Sequence, residues 1–299
     1  MNSLSQPGTG RNIGETVIVL KIMRSIDDAR KMLHDSKRKG LSTGLIPTMG
    51  ALHEGHLSLV KQAQRENDEV VVSIFVNPLQ FGKDEDFNRY PRSFDKDCEV
   101  LSSMGVDLIF NPTASEMYPP EFSTGITFHH LEKKLCGKFR PGHFGAVAVV
   151  VLKLFLIVNP DRAYFGQKDF QQTVIVKRMV ADFNLDVEIK VLPTMRNADG
   201  LALSSRNVYL NNAEKREALC LYQALTKAQS LVNAGIATAM EITQEMEKII
   251  RAFKTATLDY ISIVNPDTLE ETQEVYRGSV VALAVKIGKT RLIDNIIIV

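Results

Sequence analysis

The stretch Pro47-Thr-Met-Gly-Ala-Leu-His-Glu-Gly-His56 lies between a short apolar run at residues 45–46 and an amphipathic run that begins at Leu57. This order predicts a strand, a glycine-bearing loop and the first turn of a helix. His53 and His56 are three residues apart, so their imidazoles should face the same way at the helix N-terminus. The backbone N–H groups and the dipole of a helix favour an anion there. We predict a phosphate site, with surface histidines beside a flexible loop as the alternative.

The segments around this stretch alternate between β-like and helical patterns as far as about residue 192. The continuously apolar run at residues 70–76 is typical of a buried parallel strand. The alternation predicts a Rossmann-like, doubly wound parallel sheet with both faces covered, over residues 17–194. We expect strands at residues 17–22, 45–46, 70–76, 106–110, 163–165 and 187–192, and helices from Ser25 to Gly40, after the histidines, from Ser93 to about Gly105, and at residues 144–158 and 170–183.

The pattern changes after Pro193. Two long helical stretches are followed by three strand-like ones, and Gly288-Lys289-Thr290 has the composition of a hairpin turn. We predict a smaller α+β domain over residues 195–299 that closes over the site. Its helices are expected at residues 212–234 and 238–254, and its strands at residues 258–264, 280–287 and 291–299.

The composition is that of an ordinary globular protein. The 299 residues allow two domains and a substantial core. Hydrophobic residues make up 44% and charged residues 24%, which are usual values. A formal net charge of +1 gives no basic field for nucleic acid. Cys98, Cys136 and Cys220 are odd in number and far apart, which argues against a disulfide framework and favours a reducing compartment.

Two segments of the sequence bear on where in the cell the protein is located. Residues 1–16 are polar, with Pro7, Gly8 and Gly10 and no apolar core, so we expect a loose tail and not a secretory signal. The most apolar stretch, residues 146–158, has thirteen residues and contains Lys153. It is too short to span a membrane and is expected to form a buried core helix. We therefore predict a cytoplasmic protein with neither nucleic-acid nor membrane partners.

Three other nucleotide or metal signatures are excluded. The dinucleotide pattern G-x-G-x-x-G is absent. Gly288-Lys289-Thr290 resembles the end of a P-loop, but Leu283 occupies the position of the first glycine and no helix pattern follows. A zinc protease requires H-E-x-x-H, and here the second histidine comes one residue too early.

Four further motifs follow the first in order: Phe75-Val-Asn-Pro-Leu-Gln-Phe-Gly82, Arg140-Pro-Gly-His-Phe144, Phe165-Gly-Gln-Lys-Asp-Phe-Gln-Gln172 and Asp199-Gly-Leu-Ala-Leu-Ser-Ser-Arg-Asn207. Together the five motifs resemble the pantothenate synthetase family, the ATP-dependent pantoate–β-alanine ligases. The resemblance covers about residues 17 to 299. The family is part of a wider group of nucleotidyltransferases with an H-x-G-H loop.

The resemblance implies a two-step reaction. Pantoate and ATP give enzyme-bound pantoyl adenylate and pyrophosphate, and β-alanine then releases pantothenate and AMP. It also implies Mg²⁺ and a homodimer. One alternative is a nucleotidyltransferase of the same fold that acts on a phosphate, which would leave the glutamine motifs unexplained. Another is a nucleotide-sensing protein without turnover, which the retained histidines and Lys168 argue against.

For ATP, the resemblance implies contacts from three segments. Without it, Lys168-Asp169 would be an ordinary charged helix start and Ser-Ser-Arg-Asn a turn. The implied ATP-binding residues are Met49, Gly50, Ala51, Leu52, His53, Glu54, Gly55, His56, Gly166, Gln167, Lys168, Asp169, Met195, Leu203, Ser204, Ser205 and Arg206. The implied catalytic residues are His56, His53, Lys168, Ser204, Ser205 and Arg206.

The chemistry fits these residue types. Attack on the α-phosphorus shifts negative charge onto the bridging oxygen, where imidazole N–H donors stabilise the transition state. A histidine beside phosphate can be cationic near neutral pH, because its ordinary pKa is about 6.5. The Asp169 carboxylate suits ribose hydroxyls, and the Arg206 guanidinium suits phosphate.

For the other substrates, the resemblance implies that Gln80 and Gln172 bind pantoate and that Gln80 also lies near β-alanine. Asn77, Arg140 and His143 fall in matching motifs and are expected to line the site without an assigned role. Magnesium should be held largely by the triphosphate and water, so its protein ligand stays unknown. Asp97 is a candidate carboxylate, although we expect it to be a solvated helix residue.

Overall fold

The structure is a computed structural model that describes residues 20–83 and 85–299. The tail predicted at residues 1–16 lies outside these residues, as do residues 17–19 of the first predicted strand. The strands of the larger sheet are β1 (Lys21–Met23), β2 (Thr43–Thr48), β3 (Glu69–Ile74), β4 (Leu108–Phe110), β5 (Arg162–Gly166) and β6 (Glu188–Leu192). All pairs are parallel and the order is β1-β4-β3-β2-β5-β6, which confirms the predicted fold class.

Helices cover both faces of this sheet. They are α1 (Ile26–Arg38), α2 (Glu54–Glu66), α3 (Phe94–Ser103), α4 (Ala114–Met117), α5 (His143–Val158) and α6 (Phe170–Asp182). Neighbouring side chains of β2 show how the faces differ: Leu45 packs with α1, α5 and α6, whereas Ile46 packs with α2 and α3. Successive side chains of a strand point to opposite faces, so a strand buried on both sides must be apolar throughout.

Helix α5 is the apolar stretch that was predicted to be a buried core helix, and most of its residues are buried. Its Lys153 reaches the Phe122 ring, with the ammonium 5.3 Å from the ring centroid. Within the described residues, no helix is long and apolar enough to cross a membrane.

The smaller sheet is antiparallel, with β7 (Ala256–Val264), β8 (Val280–Ile287) and β9 (Thr290–Ile297) in sequence order. The predicted hairpin is present: Ile287 pairs with Thr290, so Gly288 and Lys289 form the loop and Thr290 belongs to β9. Gly288 has a φ of +56°, which favours glycine.

The helix expected at residues 212–234 is two helices, α7 (Asn212–Glu217) and α8 (Leu219–Asn233), so that prediction was wrong in detail. The break falls at Ala218, which is fully buried, and neither glycine nor proline marks it in the sequence. The third helix, α9 (Ala239–Arg251), follows as expected.

Strands β2 and β5 are neighbours at the centre of the larger sheet, but the chain leaves them in opposite directions. β3, which follows β2, lies on one side, and β6, which follows β5, lies on the other. Open α/β sheets bind ligands at such a switch point, outside the carboxyl ends of the strands. The histidines follow β2 and Lys168 follows β5, so the fold brings both motifs to this crevice.

Candidate active site

The histidine loop, residues 49–56, is held by a buried carboxylate. After β2 the chain turns through Gly50 (φ +80°) and Ala51 (φ +51°). Asp97 of α3 accepts hydrogen bonds from the Ala51 N–H at 2.8 Å and the Leu52 N–H at 3.0 Å. It also accepts from the Ser93 hydroxyl at 3.1 Å. Asp97 is only 2% exposed, so the expectation of a solvated residue was wrong, and both of its oxygens are engaged by the protein.

The two imidazoles cap α2 reciprocally. His56 Nδ1 accepts from the His53 backbone N–H at 3.3 Å, and His53 Nδ1 accepts from the Gly55 N–H at 3.2 Å. A neutral imidazole that accepts at Nδ1 carries its proton on Nε2. Both rings, whose centroids are 4.1 Å apart, therefore offer an Nε2–H donor.

Burial decides the charge of these rings. Desolvation, followed by the neighbouring Lys168, lowers the pKa of His53 to about 4. Desolvation, followed by His53, lowers the pKa of His56 to about 3. Both rings are thus neutral at pH 7, unlike the cationic histidine considered above. The ring of His53 also explains why residue 55 is a glycine, because a Cβ at that position would lie 2.9 Å from the imidazole.

The lysine turn, residues 166–169, follows β5 and leads into α6. The Lys168 ammonium lies 3.6 Å from the Asp169 carboxylate. Burial alone would raise the pKa of Asp169, but Lys168 and Arg206 lower it overall. Asn295 of β9 donates from its side-chain amide to the carbonyls of Gln167 (3.0 Å) and Lys168 (2.9 Å). The turn is therefore held from the smaller sheet.

The serine–arginine loop, residues 203–206, joins the other two segments. The Ser205 hydroxyl donates to the Ala51 carbonyl at 3.1 Å and so ties this loop to the histidine loop. The Arg206 guanidinium makes two hydrogen bonds of 2.9 Å with Asp86. Burial alone would raise the pKa of Asp86, but the hydrogen bond from Arg206 lowers it overall. The arginine predicted to bind phosphate is thus already paired with a carboxylate.

Gln80 lies at the far end of the crevice. Its backbone carbonyl is 2.7 Å from His143 Nδ1 and 3.3 Å from an Arg140 nitrogen. Arg140 also pairs with Glu85 through two hydrogen bonds. Burial, and then Arg140, lowers the pKa of His143 to about 4. Arg140 and His143 therefore support Gln80.

A cavity of about 220 Å³ collects most of the predicted residues. Those that line it are Met49, His53, Gly55, His56, Gln80, Gly166, Lys168, Asp169, Gln172, Met195, Leu203, Ser204, Ser205 and Arg206. Five predicted residues are not in its lining: Gly50, Ala51, Leu52, Glu54 and Gln167. Gly50, Ala51 and Leu52 form the backbone turn, Glu54 is exposed, and the Gln167 side chain is turned towards Asn295.

A second cavity, of about 360 Å³, adjoins the first and also reaches the smaller sheet. The residues that line both are Arg140, His143, Lys168, Asp169, Gln172, Ser204 and Arg206. In the part of the chain that the structure describes, no group of three or more His, Cys, Asp or Glu side chains is placed to hold a metal ion.

Sequence reasoning missed the residues that support this site. Asp97 was considered as a metal ligand or a solvated helix residue but not as a support for the histidine loop, and Asp86 and Asn295 were not assigned, although each bonds directly to a predicted segment. Tyr118, which donates to Asn77 at 2.9 Å, was also missed. None of the four belongs to a motif with a recognisable spacing, so the sequence carried no local signal for them.

A histidine pair and a lysine at the switch point of a parallel sheet define a nucleotide-binding α/β protein of the H-x-G-H type. The family model described as pantoate-beta-alanine ligase matches residues 21–297. The chain belongs to this family.

Individual relatives agree with this family. The chain is 50% identical over 282 residues to the pantothenate synthetase of Caldicellulosiruptor bescii, covering 94% of this chain and 99% of that protein. It is also 50% identical to the one from Thermotoga petrophila, covering 93% and 100%. The crystal structure of pantothenate synthetase from Thermus thermophilus has a TM-score of 0.88 at 44% identity, covering 92% and 98%.

A further solved structure carries ligands. It is the pantoate-beta-alanine ligase from Francisella tularensis, complexed with "Beta-gamma ATP" and beta-alanine. Its TM-score to this chain is 0.78 at 37% identity, and the match covers 93% of this chain and 98% of that one.

Proposed function

We propose that this chain condenses pantoate with β-alanine at the expense of ATP, through an enzyme-bound pantoyl adenylate. The ATP-dependent ligation follows from family membership. The adenylate step rests on one observation above all. The same cavity is lined by the histidine pair, by Lys168 and by both predicted pantoate-binding glutamines, Gln80 and Gln172. A carboxylate and the α-phosphate can therefore meet there.

In the first step, a pantoate carboxylate oxygen attacks the α-phosphorus and pyrophosphate leaves. We assign the Nε2–H donors of His53 and His56 and the ammonium of Lys168, which line one cavity, to stabilise the charge that develops on the phosphates. In the second step, the β-alanine amine attacks the acyl carbon and AMP leaves. The contribution of the protein is positioning and electrostatic stabilisation.

The walls of the cavity suit pantoate, which carries a carboxylate, two hydroxyls and two methyl groups on one carbon. Gln80 and Gln172 supply neutral hydrogen-bonding groups. An apolar wall suits the methyl groups, and it is formed by Phe75, Val147, Val150, Val151 and Leu154. At the nucleotide end, we assign Met195 and Leu203 to the nucleoside and Asp169 to the ribose hydroxyls.

Four further assignments are part of the proposal. Mg²⁺ would be held mainly by the triphosphate and water, which is how this ion commonly binds in nucleotide sites. We assign a homodimer from the resemblance to the family, and a cytoplasmic location from the three widely separated cysteines. We also place the boundary between the two domains at residues 194–195, shortly after β6 ends at Leu192.

The test is to incubate the protein with ATP, Mg²⁺ and pantoate, with and without β-alanine, and to separate the nucleotides by chromatography. We expect AMP and pyrophosphate as products, with sustained turnover only when β-alanine is present. ADP and phosphate would contradict the adenylate step, because they require attack at the γ-phosphorus. A phosphate-directed nucleotidyltransferase would not respond to β-alanine, and a sensing protein would bind ATP without turnover.

A further inference from the structure

The polar groups around Gln80 have fixed donor and acceptor roles. The Leu79 backbone N–H, which can only donate, lies 3.2 Å from Asn77 Oδ1. The Ala146 carbonyl, which can only accept, lies 3.4 Å from Asn77 Nδ2. These two backbone groups allow only one orientation of the Asn77 amide.

The orientation of Asn77 sets that of Gln80. Asn77 Nδ2 is 3.1 Å from Gln80 Oε1 and donates to it. The amide nitrogen of Gln80 must then point the other way, where it lies 2.9 Å from the sulfur of Met49 at the cavity wall. Since a thioether is only a weak acceptor, this NH₂ group is available to a better acceptor in the cavity.

Tyr118 holds the far end of this chain of hydrogen bonds. Its hydroxyl donates to Asn77 Oδ1 at 2.9 Å, and Asn77 is only 1% exposed. Burial raises the pKa of Tyr118, so the hydroxyl remains protonated. The ring packs beside Phe75 and Phe122, with centroids at 6.1 and 5.0 Å. The hydroxyl is thereby held on Asn77 and does not itself reach the lining of the cavity.

We propose that Tyr118 is a positioning residue for pantoate recognition, which acts through Asn77 to hold the Gln80 NH₂ group towards the cavity. The inference rests on the proposed function, which places pantoate beside Gln80. A fixed donor selects an oxygen acceptor, such as a carboxylate or hydroxyl of the substrate. Without the Tyr118 hydroxyl, Asn77 loses one of the two donors on its oxygen, and Gln80 is held less firmly.

The test compares Tyr118→Phe, Gln80→Ala and the double variant in steady-state assays of pyrophosphate release. Tyr118→Phe keeps the ring and removes only the hydroxyl. We expect kcat/KM for pantoate to fall by about 3- to 10-fold, the effect of one hydrogen bond, through KM. ATP affinity and the melting temperature should stay close to those of the wild type. Tyr276→Phe, which removes an exposed hydroxyl bonded to Asn265, is the matched control.

The double variant separates this role from a structural one. If Tyr118 acts through Gln80, adding Tyr118→Phe to Gln80→Ala should change kcat/KM for pantoate by less than about twofold, because coupled residues are not additive. A full additional loss in the double variant would overturn the inference, as would wild-type pantoate kinetics in Tyr118→Phe. Wild-type kinetics in Gln80→Ala would instead contradict the pocket assignment itself. Should turnover of Gln80→Ala be too slow to measure, pantoate affinity by calorimetry gives the same comparison.

Discussion

The histidine loop and the lysine turn line the same cavity, but different parts of the molecule hold them. The histidine loop is fixed within the larger sheet, by the Asp97 carboxylate of α3. The lysine turn is fixed from the smaller sheet, by the Asn295 amide of β9. Both anchors are only 2% exposed, and both bond to backbone groups.

The difference lies in what each anchor can control. Asp97 bonds to the backbone just before His53, so it sets where the imidazole donors lie relative to the phosphates in the proposed arrangement. Asn295 bonds to the carbonyl of Lys168 itself, so it links the position of the ammonium that we propose binds phosphate to the smaller sheet. We therefore expect damage to the first anchor to slow the chemical step and damage to the second to weaken ATP binding.

The largest loss of activity should come from a substitution in the histidine loop itself. His56→Ala should slow pyrophosphate release by roughly 10²–10³-fold, the usual effect of removing one transition-state donor. Pantoate binding should change little, because the ring faces the nucleotide in the proposed arrangement. Rapid-quench measurement of pyrophosphate gives the rate, and His34→Ala, which alters an exposed histidine of α1, is the control. Normal adenylation with weakened pantoate binding would mean that His56 serves the other substrate.

The second-largest effect on activity should come from Asp97, the residue that anchors the histidine loop. In Asp97→Asn, the new NH₂ group would face the N–H of Ala51 or Leu52, and one charged hydrogen bond of about 1.5–3 kcal/mol would be lost. We expect adenylation to slow by roughly 10- to 100-fold, with ATP affinity less affected. Asp95→Asn, in the same first turn of α3 but exposed, should behave like the wild type. An unchanged rate in Asp97→Asn would show that the loop holds its position without the carboxylate.

The anchor of the lysine turn should have a smaller and different effect. Asn295→Ala removes two hydrogen bonds to the backbone of the turn and one from the Gln167 side chain, and we expect KM for ATP to rise by about 5- to 10-fold, corresponding to about 1–1.5 kcal/mol. The turnover number should change less. Asn265→Ala removes two backbone-directed bonds at the end of β7, away from the turn, and controls for lost stability. A fall in kcat with unchanged KM would contradict the division of roles.

Much of the fold could be predicted because it depends on local patterns. The apolar run of β3 and the serines that precede α1 and α3 are visible in a few consecutive residues. The contacts of the two anchors could not be predicted in this way, because Asp97 lies 46 residues from Ala51 and Asn295 lies 127 residues from Lys168. Periodicity shows which face of a helix is buried. It does not show which distant turn a buried carboxylate or amide will meet.

For the site, the motifs predicted which segments would meet, but not the charge of their side chains or the partners to which these side chains bond. The spacing of His53 and His56 placed both rings at one helix end, as found. Their neutrality depends on burial in the folded chain and, for His53, on the nearby Lys168, which no local pattern reports. The same limit applies to Arg206, whose pairing with Asp86 spans 120 residues.

The smallest effect concerns the pH dependence of the free energy of unfolding. It should depend on the histidine loop and not on the lysine turn. His53 and His56 have pKa values of about 4 and 3 in the folded protein, against about 6.5 when unfolded. The unfolded chain therefore binds more protons below pH 7, and stability is lost as the pH falls through 6.5. Between pH 7 and pH 6 the loss should be about 0.5–1 kcal/mol for each histidine.

His143, whose pKa burial also lowers to about 4, adds to this change equally in the wild type and in the variants below. Urea unfolding at pH 7 and pH 6 measures it, and the difference should shrink in His53→Asn and in His56→Asn. Asn295→Ala should keep the full difference, because it leaves both histidines and the residues around them in place. If both histidine variants keep the wild-type difference as well, the imidazoles are charged in the folded protein, and the neutral Nε2–H donors assigned to the histidine loop are wrong.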